Sequence, residues 1–163
     1  MQRSSIIRLA LFFFFSTITF LSNGQEVTSN KMAQLEFMVG EWIGISKSYD
    51  NGKLVRQVPA YESVYYDLDS SILVLQLNSE PLQLHTIIYF DDKKGTYSYN
   101  AFSKRGVRPA PAILKDGKLI VQSTETKRFI FTRTEDGGFR EYGEKLIDGK
   151  WVLYFQDDFR DTR

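Results

Sequence analysis

Leu35-Glu36-Phe37-Met38-Val39-Gly40-Glu41-Trp42 decides the fold of this chain. An apolar stretch from Met32 to Val39, read as a short helix, ends at Gly40, whose missing Cβ lets the backbone turn sharply into an extended segment. Trp42 then opens the first strand. A buried indole at that junction supplies a large apolar surface and needs a partner for its N–H, so Gly40 and Trp42 are expected to be structural.

Beyond Trp42 the side chains alternate with period 2, and turn residues recur at short, nearly regular intervals. The spacing predicts strands over 42–49, 54–67, 72–78, 82–90, 96–102, 112–114, 118–123, 127–134, 139–147 and 150–159. Asp50-Asn51-Gly52-Lys53 is a hairpin signal, and Lys115-Asp116-Gly117, Glu135-Asp136-Gly137-Gly138 and Asp148-Gly149 divide later strands. Arg105-Gly106-Val107-Arg108-Pro109-Ala110-Pro111 reads as a strand-edge loop with solvated charges, because its prolines oppose regular pairing; the alternative is a mobile basic lip, formed by its two arginines, over one barrel mouth. About ten strands with no helix long enough to join parallel neighbours make an all-β, antiparallel, up-and-down meander. Closing it into a barrel removes the exposed edges; a sandwich, the competing architecture, calls for longer connections than these turns.

Residues 1–24 read as a signal peptide: Arg3 and Arg8 precede a Phe-rich apolar core over 9–21, and Ser22-Asn23-Gly24 suits a peptidase cut. That core falls short of the roughly 20 residues that span a bilayer, so no stable membrane anchor is expected after cleavage. Residues 25–163 then form a single domain, exported to a periplasm or secreted. The chain has no cysteine, which removes disulfides, thiolate catalysis, cysteine metal sites and a thiol lipid anchor together. Its 21 basic and 20 acidic residues nearly balance, and a nucleic-acid partner, which calls for a concentrated basic face, is not expected.

The stretch 35–42 resembles the opening of lipocalin-like (calycin-type) small bacterial β-barrels, particularly the DUF1579-type proteins of unknown function. More loosely, its Gly-x-Trp resembles that of lipocalins, fatty-acid-binding proteins and nitrobindins. The resemblance implies a lipocalin-like barrel in which Trp42 plugs the closed end and meets a basic residue from a late strand: Arg133, Arg140 or Arg160. Nitrobindins bind haem through a histidine near the C-terminal end, but the corresponding stretch here, Trp151-Val152-Leu153-Tyr154-Phe155-Gln156, has none. No cofactor is expected.

His85 is the lone histidine and, by alternation, shares a face with Gln83, Ile87 and Tyr89. Asp157-Asp158 with Asp161 is an acidic cluster near the end of the chain, and its spacing fits a solvated terminus better than a coordination sphere, so no metal site is expected. There is no Gly-x-Ser-x-Gly elbow and no phosphate-cradling glycine loop, and no catalytic residue is assigned. What remains is a heavy load of aromatic residues. Phe129, Phe131 and Arg133 share one face, Trp151, Leu153 and Phe155 another, and Tyr97, Tyr99 and Ala101 a third; which rows face inward is left open. The leading expectation is non-covalent binding of a small hydrophobic or amphipathic molecule, with Tyr65, His85, Tyr89, Tyr99, Arg133 and Tyr142 as polar contacts in an apolar cavity. The alternatives are a protein-interaction module with a side-chain-filled barrel, or a hydrolase or isomerase using cavity carboxylates such as Glu62 and Glu141.

Overall fold

The computed structural model describes residues 30–163. The signal peptide expected over 1–24, and residues 25–29 of the expected domain, lie outside the described residues. Ten strands follow a short helical segment: β1 (Gly40–Asp50), β2 (Lys53–Asp67), β3 (Ile72–Ser79), β4 (Gln83–Asp91), β5 (Thr96–Ser103), β6 (Gly106–Lys115), β7 (Lys118–Thr124), β8 (Lys127–Arg133), β9 (Phe139–Ile147) and β10 (Lys150–Asp161). Each pairs antiparallel with its sequence neighbour, and β10 closes onto β1 through pairs from Trp42↔Asp161 to Ser48↔Phe155. The result is a closed, up-and-down, ten-strand barrel compatible with a lipocalin-like fold.

Turn chemistry explains the short connections. Asn51-Gly52, Asp116-Gly117 and Asp148-Gly149 all have positive φ at both positions, the backbone that tight hairpins need and that Asn, Asp and Gly adopt most cheaply. All three sit where the sequence places a turn.

Two expectations are corrected. The stretch 106–111 is no loop: Gly106–Lys115 forms β6, paired with β5 from Tyr97↔Ala112 to Ser103↔Gly106. The prolines are tolerated because β6 pairs with β7 only from Ala112 to Lys115, so Pro109 and Pro111 lie on a half-strand with no partner on its other side. The row Trp151–Leu153–Phe155 is also broken. A register shift between Leu153 and Phe155 leaves Leu153 opposite Glu144 but sets Phe155 opposite Gly143, turning Phe155 into the barrel. Gly143 permits this, since a Cβ there would collide with the Phe155 ring.

The expected helix over 32–39 is split into a helical turn at 30–33 and a 3-10 turn at Glu36–Met38. It plugs one end of the barrel. Met32, Leu35 and Met38 are fully buried, and the Tyr66 and Tyr97 hydroxyls each donate at 2.7 Å to backbone carbonyls of Met32 and Lys31. The Trp42 indole N–H donates to the Met38 carbonyl at 2.8 Å, which gives the indole a backbone acceptor. Trp42, Phe139, Phe131 and Phe159 continue the packing inward, with ring centroids 5.7 to 6.1 Å apart from Trp42 through Phe139 to its two neighbours.

Candidate functional site

Alternation along each strand separates the wall's two faces. The buried member of each pair identifies the lumen side: Trp42 on β1, Ala60, Glu62 and Val64 on β2, Leu73, Leu75 and Leu77 on β3, Thr86 and Ile88 on β4. On the later strands it is Tyr97, Tyr99 and Ala101, then Ala112, Leu119 and Val121, then Phe139 and Glu141, and Asp157 and Phe159.

The lumen is unevenly filled. Near the plug its side chains are large. Toward the opposite end, the mouth, many inward positions are small: Ser46, Ser48, Val58, Ala60, Ser79, Thr86, Ala101, Ala110, Ser123 and Gly143. Tyr99, Phe129, Phe155 and Tyr154 make an aromatic wall on one side, with centroids of successive pairs 5.1 to 6.3 Å apart. Ser46, Ser48, Ala110, Ser123, Phe129 and Phe155 are only half-buried although they point inward, so solvent reaches them through the mouth.

Between the two halves lie Glu62, Glu141 and Asp157, with residual exposures of 1%, 7% and 3%. Glu141 and Asp157 are direct cross-strand partners, and Asp157 stands opposite Ser46 on the next strand. Glu62 joins them across the lumen. Burial, reinforced by the charge of Asp157, pushes Glu62 well above the usual carboxylate range, and burial with both neighbouring acids does the same to Glu141. Burial also lifts Asp157, to about 6, against a hydrogen bond from Ser46 that favours its ionised form. One oxygen on each of Glu62 and Asp157 has no hydrogen-bond partner. Buried carboxyl oxygens are rarely left unpaired in a protein interior, which makes these two the chemical signature of the site.

Other polar groups surround the acids. Tyr99, hydrogen-bonded with Thr86, is raised chiefly by burial and then by Glu141. Tyr154 is raised by burial and by Glu141, while Arg108, reaching in from β6, opposes the shift. The Lys145 ammonium lies 4.8 Å from the centre of the Tyr154 ring. The lumen is therefore acidic at its floor and basic at its lip, with Tyr154 between. Among the described residues no group of His and acidic side chains is arranged to hold a metal ion.

The six residues expected as ligand contacts do not converge. Tyr99 lies in the lumen beside the acids. Tyr65 points outward, 39% exposed, and accepts a hydrogen bond from Gln76. His85 and Tyr89 are also exposed on the outer wall of β4, and Tyr142 is half-buried on the outer side of β9. Arg133 is exposed at the plug-side end of β8. His85 instead helps line a shallow outer groove of about 500 Å³ with Tyr61, Gln76 and Phe102, and a second depression, of about 980 Å³, follows the outside of β1 and β2. The larger surface hollows are thus on the outer wall and the unpaired buried carboxyls inside; the carboxyls mark the stronger candidate, because an unpaired buried acid costs free energy and an open groove does not.

Glu62 and Glu141, raised in the sequence as cavity carboxylates, are brought together. Asp157 is corrected: it belongs to no solvated terminus, being buried and inward, while its neighbour Asp158 faces out and is held by Lys47 at 2.9 Å and Arg140 at 2.6 Å. The signal was present as Phe155, Asp157 and Phe159 at every second position, an acid inside an apolar row. No protein-family model matches the chain, and no curated protein matches it.

Proposed function

We propose that this is an exported, lipocalin-like protein of the DUF1579-type kinship suggested by 35–42, and that it binds a small hydrophobic or amphipathic molecule non-covalently in the mouth half of its lumen. The observation that carries the reading is the coincidence of small inward side chains with a floor of buried carboxyls, two of whose oxygens lack a protein partner. Ligand pockets combine apolar walls with a few convergent polar groups, and this half of the barrel has both. Native mass spectrometry of protein purified gently from its own export compartment tests the reading. A reproducible added mass that is lost on denaturation is expected; a bare protein mass, together with no uptake of an apolar fluorescent probe, contradicts it.

A second reading, acid–base catalysis, is favoured by one observation: Glu62 is raised to about 8, where a carboxyl serves as a proton donor near neutrality, and burial beside it raises Glu141 in the same direction. The two readings part on the fate of the bound molecule, which a binder returns unchanged and a hydrolase or isomerase does not.

A further inference from the structure

Resting on the reading that the mouth half of the lumen binds a small molecule, we infer that its ligand is zwitterionic: a single ammonium seated on Glu62, Glu141 and Asp157, an apolar middle along the Tyr99–Phe155 wall, and an anionic group at the lip on Arg108 and Lys145.

The floor argues for the ammonium. Glu62 and Asp157 are almost wholly buried and each presents an oxygen with no partner, while the basic side chains of the mouth stay at the rim. A carboxylate with no donor keeps its full desolvation cost, and an ammonium, with three donors and a positive charge, satisfies several acceptors at once. Tyr99 and Thr86 add a hydroxyl pair to the same level.

Charge balance argues for one cation rather than two. Asp157 raises Glu62, and both of them raise Glu141, while burial lifts all three, so near neutrality the trio holds protons and does not all ionise. An arriving ammonium is matched by ionised carboxylate, and any proton displaced from the trio leaves for solvent. A second cation would need the remaining acids to ionise side by side.

The lip argues for the opposite end. Arg108 occupies the inward row of β6, two positions before Ala110, on the half of that strand that β7 leaves uncovered. Lys145 lies on the inward row of β9, two positions beyond Gly143. Arg108 and Glu141 act in opposite directions on Tyr154. A simple alkylamine would have to pass these cations with no compensating charge; a molecule carrying an anionic group would be held by them.

Isothermal titration calorimetry of the folded, signal-free protein near neutral pH, with n-octylamine, octanoate and ω-aminooctanoate as probes, tests the inference. The ω-amino acid is expected to bind about tenfold more tightly than either single-ended probe. Glu62→Gln, with Asp157→Asn as a second variant if the first fails to fold, should weaken octylamine and the amino acid about tenfold and leave octanoate unchanged. Arg108→Gln should weaken octanoate and the amino acid and spare octylamine. Proton release on amine binding, read from the dependence of heat on buffer, is expected in wild type and reduced in Glu62→Gln. Octanoate binding as tightly as the amino acid, or amine binding indifferent to the floor variants, overturns the ammonium floor; octylamine matching the amino acid overturns the anionic lip. If none of the three binds and an apolar fluorescent probe also fails to enter, the parent reading falls instead.

Discussion

The two ends of the barrel are built from the same ten strands, yet they are packed to opposite purposes. At the plug end Trp42, Phe131, Phe139 and Phe159 stack beneath Met32, Leu35 and Met38, and the polar atoms there, such as the Trp42 N–H and the Tyr66 and Tyr97 hydroxyls, find backbone acceptors. At the mouth end many inward positions are serine, alanine, threonine or glycine, and carboxyl oxygens are left over. The plug supplies the cohesion. The mouth half gives up packing and hydrogen-bond satisfaction, the pattern expected where a site is maintained against stability.

Truncation should expose the contrast most strongly. Phe139→Ala at the plug is expected to cost about 3–5 kcal/mol in chemical denaturation, because it removes the fully buried ring that Trp42, Phe131 and Phe159 all pack against. Phe129→Ala, on the half-buried wall of the mouth, should cost clearly less; equal losses would mean that the two halves are packed alike.

Enlargement makes the complementary comparison. Ala112 is fully buried and Ala110, two residues nearer the mouth on the same inward row, is half-buried. Ala112→Leu is expected to destabilise by about 1–3 kcal/mol through overpacking. Ala110→Leu should cost under about 1 kcal/mol, and a large penalty there would show the mouth half to be full.

The floor predicts a pH dependence of definite sign. Glu62 is lifted from an ordinary 4.5 to about 8, so the folded protein retains a proton that the unfolded chain has already lost. Stability from this group is complete below the unfolded value and is lost as pH rises toward about 8; Asp157, lifted to about 6, acts in the same sense at lower pH. Tm should therefore fall from about pH 5 to about pH 8, and Glu62→Gln should flatten the fall, gaining on the order of 2 kcal/mol on wild type at the alkaline end. A wild-type profile already flat across that window would contradict the floor. The smallest effects belong to the outer wall, where Tyr65→Phe and His85→Ala should each stay within about 0.5 kcal/mol of wild type, as measured by urea denaturation.

Much of this architecture is legible in the sequence, because period-2 alternation and the Asn-Gly and Asp-Gly turns are local. The barrel, the strand order and the junction at Gly40 follow from them. The lumen is less legible. Alternation states that Tyr65, His85 and Tyr89 each share a face with certain neighbours but does not say which face is inside, and one step of register exchanges the two. Glu62 between Ala60 and Val64, and Asp157 between Phe155 and Phe159, carried the missing signal, acids embedded in apolar rows. The bulge after Leu153 hid Phe155 from any strict period, and the pairing of the first half of β6 with β5 alone concealed a strand behind two prolines.

An NMR pH titration of the side-chain carboxyls in the folded protein, with Glu62, Glu141 and Asp157 assigned through their amide variants, tests the acidic floor. All three are expected to titrate above the ordinary carboxylate value of about 4, with Glu62→Gln lowering Glu141. Three independent titrations near about 4, unmoved by that substitution, would show solvated acids and would contradict the acidic floor.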